Sequence, residues 1–307
     1  MSPRSPLLAL VAALAVGCTA APDAAPDAGV VADAAAALDA YPAVCGNDIV
    51  EPGEGCEPGP EQDPRCTSTC RIAPGASIPL STGGREPYDV TVGGGQVYWT
   101  ERDGGREVRR LDLDGTAAGV VDTGNDWPVA IAFHDALYVG RQSQRDVVRR
   151  DGATLAPACS GAGASVWAIT GGPDRLYVSV YGNGVVACRY TSTAPRVIGL
   201  DFDATAIAAA PDGLYLLGTD RTLRRMSYDD ETVAEIQSIP GANDLAADDA
   251  HVYYLTSGGD VVALPLGGGA TQVLGNVGAG GVALAVDDGA VYVADRIGLA
   301  IVKFPRP

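Results

Sequence analysis

Short apolar runs alternate with Gly- and Asp-rich turns along most of the chain, and they either alternate with polar residues or run continuously. Neither pattern gives the i, i+3, i+4, i+7 apolar stripe of a helix, so the runs predict strands. They also repeat. Tyr98, Tyr138, Tyr177, Tyr215, Tyr253 and Tyr292 are separated by 40, 39, 38, 38 and 39 residues, and each follows Val or Leu. Roughly nine residues before each tyrosine lies an Ala/Val/Ile run such as "VAIAF" or "VALAV", and a Gly/Asp turn separates the two. A third run follows a polar hairpin ("TLRRMSY", "DVVALPL"), and a fourth ("AAGVV", "PRVIG", "TQVLG") closes the unit.

Four short antiparallel strands in each of six units predict an all-β chain folded as a six-bladed β-propeller over residues 77–307. One such unit cannot bury both of its faces, so each must pack on its neighbours and the ring must close. The last unit supplies only three strands before Pro307, while Ser77–Thr82, "SIPLST", is an unassigned strand-like stretch ahead of the first unit. It is expected to be the missing outer strand, giving a 3+1 closure that ties the two ends together and removes an exposed edge. Pro79 is compatible with such an outermost position.

The repeat resembles the six-bladed propellers of the NHL and YWTD groups, most closely at Tyr98-Trp99-Thr100, where Glu101 replaces the Asp. That resemblance implies a fold and little about function, since propellers host binding modules, hydrolases and lyases alike.

Ahead of the repeat the chain has three segments. Residues 1–17, with Arg4 followed by an apolar run from Leu7 to Val16, read as a signal peptide; the run is too short to span a bilayer. Ala15-Val16-Gly17-Cys18 resembles the lipobox of bacterial lipoproteins, which implies lipidation of Cys18, a membrane anchor and, with Thr19 following, an outer-membrane lipoprotein on the periplasmic face or the cell surface. Residues 18–43, mostly Ala, Asp and Pro, lack the apolar residues for a core and are expected to form a disordered tether. Residues 44–72 hold Cys45, Cys56, Cys66 and Cys70 with almost no hydrophobes between them, a pattern for two disulfides whose pairing the sequence leaves open. Cys45-Gly46-Asn47 with Val50-Glu51-Pro52-Gly53-Glu54 and Cys56 resembles the myxobacterial-type cysteine-rich repeat of surface proteins. Cys159 and Cys188, on adjacent units, are a further expected disulfide.

A net charge of -17 argues against a nucleic-acid partner and fits a soluble exported surface. Chemistry in a propeller gathers at one mouth of the channel, on the turns entering the innermost strands and on the hairpins after the Tyr strands. Those turns carry Tyr88, Asp126, Trp127, Trp167, Asn243 and Asp244, the candidate ligand-binding residues. Aromatic rings beside carboxylates and amides suit a protein, peptide or glycan ligand. Catalytic residues and cofactors are not expected. His134 and His251 fall at the opposite end, and calcium would need Glu86, Asp126, Asn243 and Asp244 to converge, although Ala130, Ala168, Ala206 and Ala283 fill the slots equivalent to Asp89 and Asp244. The expected function is therefore a monomeric, lipid-anchored binding module. The alternative is a metal-dependent hydrolase, lactonase or lyase on the same scaffold, working through Asp126, Asn243 and Asp244.

Overall fold

A computed structural model describes residues 44–83, 85–101, 106–122, 127–152, 154–160, 165–182 and 184–307. All of its regular elements are strands, and they form six four-stranded antiparallel sheets. After β1 (Ile78–Ser81), blade I comprises β2 (Pro87–Gly93), β3 (Gln96–Glu101), β4 (Val108–Asp112) and β5 (Gly119–Asp122). Blade II comprises β6 (Pro128–Phe133), β7 (Leu137–Arg141), β8 (Asp146–Asp151) and β9 (Thr154–Cys159). Blade III comprises β10 (Val166–Gly171), β11 (Arg175–Val180), β12 (Gly184–Arg189) and β13 (Arg196–Ile198). Blade IV comprises β14 (Ala204–Ala210), β15 (Gly213–Gly218), β16 (Thr222–Met226) and β17 (Val233–Ser238). Blade V comprises β18 (Ala242–Ala247), β19 (His251–Thr256), β20 (Asp260–Pro265) and β21 (Gln272–Asn276). Blade VI is built from β22 (Gly281–Val286), β23 (Val291–Asp295) and β24 (Ala300–Phe304), and its fourth strand is β1. Each innermost strand packs beside the next, and β22 packs beside β2, so the ring closes.

The 3+1 closure stands as expected. Strand β1 runs antiparallel to β24, with Pro79 opposite Val302 and Leu80 opposite Ile301. Leu80 is 5% exposed and joins a core shared by blades I and VI, so the strand is held by side-chain burial as well as by its ladder.

The recurring tyrosine has a structural cause. It lies in the second strand of each blade, and in four blades its hydroxyl donates to the aspartate of the turn just before: Tyr138 to Asp135 at 2.8 Å, Tyr215 to Asp212 at 3.1 Å, Tyr253 to Asp248 at 2.6 Å and Tyr292 to Asp287 at 3.0 Å. A buried ring needs its polar tip satisfied, and the turn aspartate does so while accepting backbone N–H groups of its own turn, as Asp248 does from Ala250 and His251. Tyr98 meets the same need through Gln96, at 2.9 Å.

The cysteine pairing left open by the sequence is nested: Cys45 bonds Cys70, and Cys56 bonds Cys66. Cys159 of β9 bonds Cys188 of β12, joining blades II and III at a fully buried point. Cys56, Cys66 and Ile72 belong to the same apolar core as Leu80, Leu113 and Tyr292, and Pro42–Pro307 form one compact unit.

If closure depends on the burial of β1, Leu80→Ala should destabilise the protein by about 2–5 kcal/mol through the cavity it leaves. Val273→Ala, on an outer strand and 63% exposed, should stay within about 0.5 kcal/mol of wild type. Urea unfolding midpoints of the two variants check the contrast.

Candidate functional site

The innermost strands all begin at one end of the channel, and each opens with a bulge at its second residue. The register shifts fall between Pro87 and Asp89, Pro128 and Ala130, Val166 and Ala168, Ala204 and Ala206, Ala242 and Asp244, and Gly281 and Ala283. The residues at which the register skips are Tyr88, Val129, Trp167, Thr205, Asn243 and Val282, one per blade. A bulge re-aims its extra side chain, and all six line the central channel, a cavity of about 770 Å³. The fold thus presents a ring of six equivalent positions at the mouth. Tyr88, Trp167 and Asn243 are members of that ring.

Trp127 is close by but not equivalent. Val129 holds the ring position in blade II, and Trp127 precedes the strand with a left-handed backbone, φ 54°, which is uncommon for a bulky side chain. It stands 37% exposed with the Arg106 guanidinium 5.0 Å from its ring centroid. Asp126 lies outside the described residues. Tyr181, at the hairpin after β11, was missed by sequence reasoning. It is 62% exposed and meets Trp167 edge-to-face at 5.3 Å, so the two rings make one aromatic surface on blade III. Its signal was the tip "YGNG" of an otherwise polar hairpin, and only the contact with Trp167 gives that tip a role.

The mouth loops are fixed by one repeated hydrogen bond. In five blades the hairpin after the second strand donates an N–H to the carbonyl of the loop entering the first: Gln142 to Trp127 at 3.0 Å, Tyr181 to Ser165 at 3.0 Å, Thr219 to Asp203 at 3.1 Å, Ser257 to Gly241 at 2.7 Å and Arg296 to Gly280 at 2.9 Å. The corresponding donor of blade I falls at residue 102, outside the described residues. A mouth held this way is pre-organised, which lowers the ordering cost of binding.

Deeper in the channel two carboxylates interrupt a wall of Val, Ile, Leu and Ala. Asp89 Oδ2 accepts the Ile131 N–H of blade II at 2.8 Å, and Asp244 Oδ2 accepts the Leu284 N–H of blade VI at 2.8 Å. Both line the channel and are only partly exposed to its interior. Desolvation pushes Asp244 up to about 7 against the pull of its backbone donors. It pushes Asp89 well above the ordinary carboxylate range, and the nearby Asp244 charge raises it further. These side chains already serve the blade junctions, and Glu86 and Asn243 stand exposed on the rim. Among the described residues one group, Cys45, Glu57 and Cys70, brings three ligand-type side chains within 4.8 Å, and its two sulfurs are bonded to each other. His134, stacked on Tyr190 at 5.1 Å, and His251, the first residue of β19, sit at the end away from the mouth.

No family model matches this sequence, and no curated protein matches it. Solved structures do. A chain of a nidogen/laminin complex has a TM-score of 0.54 at 13% identity, over 62% of this chain and 83% of its own. The WD40 β-propeller domain of Doa1 has a TM-score of 0.54 at 12% identity, over 76% of this chain and 97% of its own. PorZ, an essential bacterial surface component of the type-IX secretion system of Porphyromonas gingivalis, has a TM-score of 0.50 at 12% identity, over 76% of this chain and 39% of its own. These likenesses establish the propeller fold.

Because the folded protein holds a proton on Asp244 up to about pH 7 while the unfolded chain releases it near 3.8, this group's contribution to stability is fully present below pH 3.8 and is lost as pH rises towards 7. Asp244→Asn keeps an acceptor for Leu284 and removes the titration. Relative to wild type, the variant should gain about 1–3 kcal/mol between pH 4 and 7.5, discounted for the channel's exposure to solvent. Urea denaturation across that range measures the difference profile, and a flat profile would contradict the assignment.

Proposed function

We propose that this chain is a binding module whose mouth takes a protein, peptide or glycan ligand, held at the outer membrane or cell surface by a lipid on Cys18. The observation that carries the reading is the ring of bulged residues, which aims Tyr88, Trp167 and Asn243 into the channel mouth. Trp127 and Tyr181 extend the aromatic surface beside it. Rings of this kind supply a large contact area with few torsions to freeze, and exposed amides and hydroxyls add orientation. The fold is also one compatible with an interaction module.

Three disulfides fit an extracytoplasmic protein, because such bonds persist in oxidising compartments. The anchor itself rests on the sequence alone, since Cys18 lies outside the described residues. Among the described residues no helix is long and apolar enough to cross a membrane.

Binding is tested by screening the purified propeller against peptide and glycan arrays and following each hit by calorimetry. Truncating both rings of blade III, Trp167→Ala with Tyr181→Ala, should weaken a mouth ligand about tenfold or more while the folded spectrum is kept. A hit unaffected by this double variant would place binding elsewhere. Turnover of a lactone or phosphoester panel that calcium supports and Asp244→Asn abolishes would favour the enzymatic alternative. Palmitate labelling that disappears in Cys18→Ala would support the anchor.

A further inference from the structure

The cysteine-rich segment is docked where blades VI and I meet, at the end of the ring away from the mouth. The backbone of Glu54 and Gly55 lies directly on the turn between β22 and β23: a Cβ added to Gly289 would stand 2.2 Å from the Glu54 carbonyl oxygen, and one on Gly55 would stand 2.9 Å from that of Gly289. The Arg71 guanidinium donates to the Asp288 carbonyl at 2.7 Å. Under this contact Lys303 of β24, 1% exposed, donates its ammonium to the Leu113 carbonyl of blade I at 3.1 Å. Glu54 of the segment is 4% exposed, and with Asp287 and Asp114 it supplies the negative field for that buried cation. The segment therefore contributes both apolar surface and a counter-charge to the seam.

The seam needs such help more than the rest of the ring. Within each of the first five blades the outer strand follows its partner through a local turn, so bringing the two together costs little chain entropy. Strand β1 has four residues and joins β24 from the far end of the repeat, with Ser81 opposite Ala300. A ladder that short is marginal unless something holds its ends in place.

We propose that residues 44–72 act as a strap: the disulfide-built segment, docked on blades VI and I, keeps β1 zipped to β24. Prising the strap off opens that seam before any other part of the propeller. Once the strap is off, β1 loses its local anchor, and the edge of β24 becomes available for pairing with another chain.

Gly289→Ala offers a selective test, since Gly289 has no left-handed backbone and the three nearest atoms the added methyl would meet all belong to the docked segment; Gly199→Ala, with nothing within 4 Å, is the control. Hydrogen exchange on the full chain should show amide protection in β1 and β24 falling about tenfold or more in Gly289→Ala and in Cys56→Ala/Cys66→Ala, with β14 and β15 of blade IV unchanged. If β1 and β24 keep their protection while residues 44–72 lose theirs, the segment is an independent appendage and the proposal fails. A uniform loss that includes blade IV overturns it as well. Should the cysteine variant not fold, Gly289→Ala, which keeps every disulfide, decides alone.

Discussion

The innermost strand of each blade has no strand partner on its channel side, and the structure depends on how that edge is satisfied. Backbone N–H groups left dry there would each cost a kilocalorie or more. At three of the six junctions side chains from the preceding blade reach across to take them. Asp89 and Thr91 of blade I accept from Ile131 and Phe133, Thr170 of blade III accepts from Ala209, and Asp244 of blade V accepts from Leu284. The same junctions carry the apolar clusters between neighbouring sheets, so polar satisfaction and burial occur at one place and fix the spacing of the blades together.

The six junctions are equivalent in geometry but not in chemistry. Blades II and III are joined by Cys159 and Cys188, and blades III and IV by Thr170 together with Ser179, whose hydroxyl donates to the Ala204 carbonyl. Arg221 of blade IV donates to the Ala242 carbonyl of blade V, and Arg306 binds Asp248 between blades VI and V at 2.6 Å. At the closing junction burial of Lys303 lowers its ammonium to about 8, a cost offset by Asp287, Asp114 and Glu54 around it. A repeat protein can vary its staples in this way because each junction only has to be good enough locally, while the strand period preserves the architecture.

The two ends of the channel differ in chemistry. At the end away from the mouth, turn aspartates are engaged by tyrosine hydroxyls and arginines, as Asp248 is by Tyr253 and Arg306. The cysteine-rich segment covers part of that end at the closing junction. At the mouth the bulges turn side chains into the channel instead of the blade core, and the rigid hairpin bonds hold Trp127 and Tyr181 outward. The polar staples of the turns are concentrated at one end, and the exposed aromatic rings at the other. That division follows from the strand direction, since every blade presents its strand starts to the same side.

Strand count, period, blade number and the borrowed closing strand were legible in the sequence, because each is written in short-range alternation and in a tyrosine that returns every 38 to 40 residues. Tyr88, Trp167 and Asn243 could be placed near the mouth for the same reason. Their equivalence as bulge residues could not be read, since a bulge is a mismatch between two strands and leaves no mark on either alone. The aromatic pair of Trp167 and Tyr181 and the nesting of Cys56–Cys66 within Cys45–Cys70 depend on how loops of one segment fold back on each other, and the burial of Lys303 against Leu113 joins residues 190 positions apart. The sequence by itself determined which segments must be strands and how often they recur. Only the tertiary structure decided which loops meet and what meets across the junctions, because those contacts depend on distances that exist once the chain has folded and the ring has closed.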